Sequence, residues 1–154
     1  MTENVIKEEV EVDPINEPWN KYELEDGSRI RSRLIVTKIL WPKGSMIKDQ
    51  AKLEIGVSFQ KIVVVFSPSQ LKGTPNPNPP GADEVLRSDR KRTLCGITKK
   101  SEDWNVYRMA DKRGIIKMMN LVSEIYRVDN LFDSTGSPYY LVNSTITITE
   151  PKEE

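Results

Sequence analysis

The chain has 154 residues, 37% of them apolar and 30% charged, which allows one lean hydrophobic core or two very small ones. Twenty-three bases balance 23 acids, so the chain as a whole is not a polyelectrolyte binder. The lack of any histidine removes the commonest general base and metal ligand, and the single cysteine, Cys95, excludes an intramolecular disulfide.

Residues 1–17 are acidic and lead into Pro18, which predicts a flexible tail. The opening "MTENV" has neither the basic start nor the apolar core of a secretory signal, so a cytoplasmic protein is expected. Across residues 1–26 nine acids face two bases, while residues 87–117 hold ten bases and four acids. Such polarity either steers a partner or pairs within the chain.

"WNKYELEDGSRI" (19–30) alternates Tyr22 and Leu24 with Lys21, Glu23 and Glu25, and Asp26-Gly27 is a hairpin turn signal. Residues 29–40 read as a long strand with Ile30, Leu34, Val36 and Leu40 on one face. Arg29, Arg31 and Arg33 take the other, where Glu23 and Glu25 can pair with them. Trp41-Pro42-Lys43-Gly44-Ser45 breaks this strand. Residues 52–60 alternate again, with Leu53, Ile55, Val57 and Phe59 on one side. The period slips at Lys61, and Ile62–Phe66 is wholly apolar. A bulge near Gln60-Lys61, or burial on both faces, would explain the slip. This apolar run is far too short to cross a bilayer as a helix.

Residues 67–103 read as a crossover. "GTPNPNPPG" (73–81) has four prolines in nine residues and suits neither a helix nor a central strand. A short helix near 83–90, with Asp83 as its cap, precedes a basic run that includes Arg87, Arg90, Lys91 and Arg92, followed by Lys99 and Lys100. From 104 the opening phrase returns as "WNVYRMADKRGI". Residues 115–127 then form a second long strand, after which Asp133–Gly136 turns the chain into a last strand over 138–150. The spacing at 115–127 also suits a helix, but its match to the β-branched 29–40 segment favours a strand.

The two phrases align without a gap over 19–26 and 104–111. One extra residue in the second turn then places Ile30 against Ile116, Val36 against Val122, Thr37 against Ser123 and Ile39 against Ile125. At the same offset Leu53 meets Tyr139, Ile55 meets Leu141 and Ile62 meets Ile148. The expected fold is therefore all-β and mainly antiparallel, with two tandem three-stranded meanders forming a small sandwich or partly open barrel. It is one domain over 18–150, made of repeat one (19–66), the crossover (67–103) and repeat two (104–150), with a polar end over 151–154.

No catalytic constellation, phosphate loop, cofactor fingerprint or metal-ligand spacing is present, so no enzyme activity, cofactor, membrane or small-molecule substrate is expected. The repeated aromatics Trp19, Tyr22, Trp104 and Tyr107 read as plugs for the two ends of the core. Function is sought where the repeats differ. Trp41, whose place Arg127 takes in repeat two, and Arg87, Arg90, Lys91, Arg92, Lys99 and Lys100 are the candidate partner-binding residues. The expected role is a non-enzymatic protein-binding subunit of a larger assembly. The alternative is nucleic-acid binding through the basic segment 87–117.

Overall fold

The computed structural model describes residues 6–43, 55–149 and 151–153. Residues 52–54 and Glu150, at the ends of two expected strands, and Gly44-Ser45 of the strand break lie outside them. Among these residues ten strands run in chain order: β1 (Lys7–Val10), β2 (Val12–Asn16), β3 (Trp19–Leu24), β4 (Arg29–Pro42), β5 (Gly56–Phe66), β6 (Arg92–Cys95), β7 (Ile97–Ser101), β8 (Asn105–Met109), β9 (Gly114–Phe132) and β10 (Pro138–Ile148). One helix, α1 (Ala82–Arg87), and a 3-10 turn over Ser69–Leu71 lie between β5 and β6. The helix is capped by Gly81, with Asp83 in its first turn rather than at the cap.

The strands form two antiparallel five-stranded sheets, which pack as a sandwich and do not close into a barrel. In the first sheet β4 is the spine. β5 follows one side of it from Arg29 to Leu40, while β3 and β1 lie end to end along the other, with β7 outside β3. The second sheet repeats this plan: β9 is the spine, β10 follows one side, β8 and β6 lie end to end on the other, and β2 flanks β8. The repeating unit is therefore five strands, β1–β5 and β6–β10.

This corrects the expected flexible tail over 1–17. Among its described residues, Lys7–Val10 pairs with the far half of β4 and Val12–Asn16 pairs with β8 of the other unit. The equivalent β6 and β7 sit inside the expected crossover, with β7 crossing to β3. Acidic composition does not prevent this, because only alternate side chains of a strand need burial. Val10 and its counterpart Cys95 are both buried, and the carboxylates find bases. Glu8 meets Arg113 at 2.6 Å, Glu9 meets Lys38 at 2.9 Å and Glu17 meets Arg33 at 3.3 Å.

The exchange of β2 and β7 builds two related core clusters. One joins Val10, Leu34, Val36, Ile39 and Trp41 to Tyr107, Met109, Ile116 and Met118. The other joins Tyr22, Leu24 and Ile30 to Cys95, Val122 and Ile125. Each thus combines the far half of one unit's spine with the opening hairpin of the other.

The turns and bulges repeat as well. Leu24 N–H donates to Ser28 O at 2.9 Å and closes the first turn with Gly27 at φ 89°, a left-handed position suited to glycine. The extra residue in the second turn lies between Met109 and Gly114. The period slip belongs to the spines, not to Gln60-Lys61. Thr37 is the bulged residue of β4 and Ser123 that of β9. Their hydroxyls donate to the facing carbonyls of Ser58 and Asn143, at 3.0 and 3.1 Å. Nor is Ile62–Phe66 buried on both faces; among the described strands β5 lies at the edge of its sheet.

The third strand is aligned one residue differently from the sequence expectation. Val36 faces Phe59, while its counterpart Val122 faces Ser144. Ile62 therefore corresponds to Thr147 rather than Ile148, a slip that exchanges the two faces.

Candidate interaction surfaces

The repeated polar residues hold the units together. Tyr22 donates to Glu102 Oε2 at 2.7 Å, and Tyr107 donates to Glu17 Oε2 at 2.9 Å. Asn20 Nδ2 donates to Asn120 O at 3.3 Å, and Asn105 Nδ2 to Leu34 O at 2.7 Å. Both pairs of bonds run from one unit to the other at equivalent positions. Tyr22 and Tyr107 are buried as expected, whereas Trp19 lies on the outer surface and Trp104 is half-buried.

The two ends of the sandwich are furnished differently. At one end Asp26 Oδ2 accepts from Arg127 Nη1 at 2.9 Å and Tyr140 Oη at 2.7 Å, while Oδ1 accepts from Ser28 N at 2.9 Å. Burial alone pushes this carboxyl up. The hydrogen bonds from Tyr140, Ser28 and Arg127 together outweigh it and hold Asp26 below the usual carboxylate range. Burial, followed by the nearby Asp26 charge, pushes the Cys95 thiol up to about 11, so it is a protonated, inert thiol at neutral pH. At the other end Trp41 replaces Arg127. It is 0% exposed, beneath the Arg113 guanidinium 5.8 Å from its ring centre. Trp41 is a core residue, and the expectation that it contacts a partner is corrected.

The basic candidates do not form one face. Arg92 pairs with Val128 in the second sheet, whereas Lys99 and Lys100 pair with Glu23 and Tyr22 in the first. Arg87 ends α1, and Lys91 is exposed in the segment between α1 and β6. Arg90 and Arg92 donate to the carbonyls of Asn130 and Leu86, at 3.1 and 2.7 Å. Lys100 approaches Glu102 at 3.4 Å. Arg113, in the same basic segment, binds Glu8, so part of the charge polarity is neutralised within the chain.

Two surfaces escaped the sequence reading. The first is the outer face of the first sheet. Its rows run Phe66–Arg29–Glu23–Lys99, Val64–Arg31–Lys21–Ser101 and Ile62–Arg33–Trp19. The arginines were expected to pair with Glu23 and Glu25. Instead Arg29 and Arg31 stack on Phe66, 5.6 and 5.5 Å from its centre, and form no ion pair among the described residues. Arg33 stacks on Trp19 at 5.6 Å while binding Glu17. The register of the Asp26-Gly27 hairpin carried part of this signal, since it places Trp19 beside Arg33.

The second surface is β5 itself. No family model matches the chain, and neither the curated proteins nor the solved structures show a match. Among the described strands, β5 is hydrogen-bonded to β4 alone. Phe59, Ile62, Val63 and Phe66 are 43%, 39%, 43% and 44% exposed along it. The one charge in the strand, Lys61, donates across to Ser144 of β10 at 3.0 Å. The edge of the other sheet, β10, is more polar, with Asn143, Thr145 and Thr147 exposed and Ile148 the one large apolar side chain exposed along it.

Among the described residues no group of three or more His, Cys, Asp or Glu is placed to hold a metal ion. No helix there is long and apolar enough to cross a membrane. One groove, lined in part by Cys95, Lys99, Lys100 and Glu124, collects titratable groups, but its thiol is buried.

Proposed function

We propose that this chain is a non-enzymatic, protein-binding β-domain, an accessory or structural subunit of a larger cytoplasmic assembly. The observation that carries the reading is β5. Native sheets usually blunt an edge with charges, prolines or bulges, because unpaired N–H and C=O groups template the addition of another strand. Here eleven residues of edge carry exposed aromatic and β-branched side chains, and the one lysine turns away from the edge to the facing sheet. An extended partner segment added there would gain main-chain hydrogen bonds and bury apolar side chains. A single free cysteine and no disulfide suit a reducing compartment.

The test compares proteins captured from the source organism by the wild type and by the Ile62→Lys/Val63→Lys double variant. A partner retained by the wild type and lost from the variant is expected. A partner held equally by both, or none held by either, would count against this reading.

A further inference from the structure

We infer that the outer face of the first sheet binds single-stranded nucleic acid, with phosphates held by the β4 arginines and bases stacked on Trp19 and Phe66. The inference concerns a different ligand from the protein-binding reading and does not depend on it, although Ile62 and Phe66 of β5 border both surfaces.

Arg29, Arg31 and Arg33 occupy alternate positions of one strand, so their side chains project from the same face about 6.8 Å apart. That spacing suits successive phosphates of an extended strand. Lys21 and Lys99 flank them on β3 and β7. Glu23 is the one carboxylate in the three rows of this face and Glu17 beside them binds Arg33, so five bases meet two acids in a chain whose net charge is zero. Arg29 and Arg31 have no carboxylate partner among the described residues, which leaves their hydrogen-bond donors to the ligand.

The aromatic side chains separate nucleic acid from other polyanions. Trp19 is 37% exposed and Phe66 lies on the same face at the β5 edge, each already stacked against a guanidinium. Basic side chains beside exposed aromatic rings on a flat sheet are the arrangement that binds unpaired bases, because every base has a planar face. An acidic peptide would use the arginines but not the rings. A duplex keeps its base faces covered.

The test measures binding of labelled oligo-dT and oligo-U of about 20 nucleotides, with duplex DNA and polyglutamate as rivals, at about 50 and 200 mM salt. Single strands are expected to bind with a marked salt slope and to quench tryptophan fluorescence, and the quench should vanish in Trp19→Phe. The Arg29→Ser/Arg31→Ser variant should weaken binding at least about tenfold and flatten the slope by about 1.4, at roughly 0.7 per phosphate contact. Phe66→Ala should weaken it about tenfold through lost stacking. Glu23→Gln should tighten it, an effect that a purely structural role would not produce. Arg87→Ser/Lys91→Ser should leave it unchanged. Far-UV circular dichroism checks that each variant is folded. Should a variant fail to fold, Arg29→Lys/Arg31→Lys keeps the charge and should retain the slope while losing affinity. Absence of salt-dependent binding, equal binding of polyglutamate or duplex, or loss of binding only in the Arg87/Lys91 variant would overturn the inference.

Discussion

Asp26 and Asp111 occupy equivalent hairpin turns, and each pairs with an arginine, at 2.9 and 3.0 Å. Only Asp26 is sheltered, and its carboxylate accepts three kinds of donor. Because its folded pKa is depressed, it contributes stability above the ordinary carboxylate value, and that contribution is lost as pH falls through the folded value. Asp26→Asn is expected to cost about 1–2 kcal/mol at pH 7. The gap between variant and wild type should narrow below about pH 4, where the wild-type carboxylate also takes up a proton. Urea unfolding at neutral and acid pH measures this, and a gap independent of pH would refute it. The sequence displayed Asp26 only as a turn residue. Its bonding to Arg127 and Tyr140 spans more than one hundred positions, beyond the reach of any local pattern.

At the scale of elements, the long strands, the first turn and the short helix were legible, because each has a local period or a turn dipeptide. β1 and β2 were not. Their burial depends on partners, β4 and β8, that lie far along the chain, and their acids resemble a solvated tail until Arg113, Lys38 and Arg33 are seen beside them. A flexible tail could be removed at little cost. Deletion of residues 1–16 is instead expected to destabilise the protein by several kcal/mol, since it strips buried Val10 from its core and uncovers β8. Thermal unfolding of the truncated chain decides this, and an unchanged midpoint would restore the tail reading. β5 gives the converse lesson. Its uninterrupted apolar run looked like a buried strand, yet its exposure reflects a place at the edge of its sheet.

For the whole molecule, each unit lends a strand to the other's sheet, so the fold is an exchange between two similar halves in one chain. Each half alone would lack the strand that flanks its opening hairpin and the complementary half of both cores. Co-expression of residues 1–76 and 77–154, divided within the Pro-rich segment, is expected to yield a stable non-covalent complex, while each half alone aggregates or stays unfolded. Two independently folded halves would contradict the exchanged architecture. Residues in the division segment are held chiefly to the β9–β10 turn, through Gly73 N to Gly136 O and Asn76 N to Asp133 O, both at 2.9 Å.

By itself the sequence determined that this is an all-β chain built on a duplicated hairpin, because alternation, turn chemistry and repeated residues are local properties written in order. Three matters were decided only by the tertiary structure. Strand exchange joined the acidic head to the far unit. The third strand's register moved by one residue and exchanged its faces. Burial made Trp41 core and left Trp19 and Phe66 outside, stacked on arginines. Each depends on which distant strand lies alongside, and pairing across dozens of residues leaves no period in the sequence from which to read it.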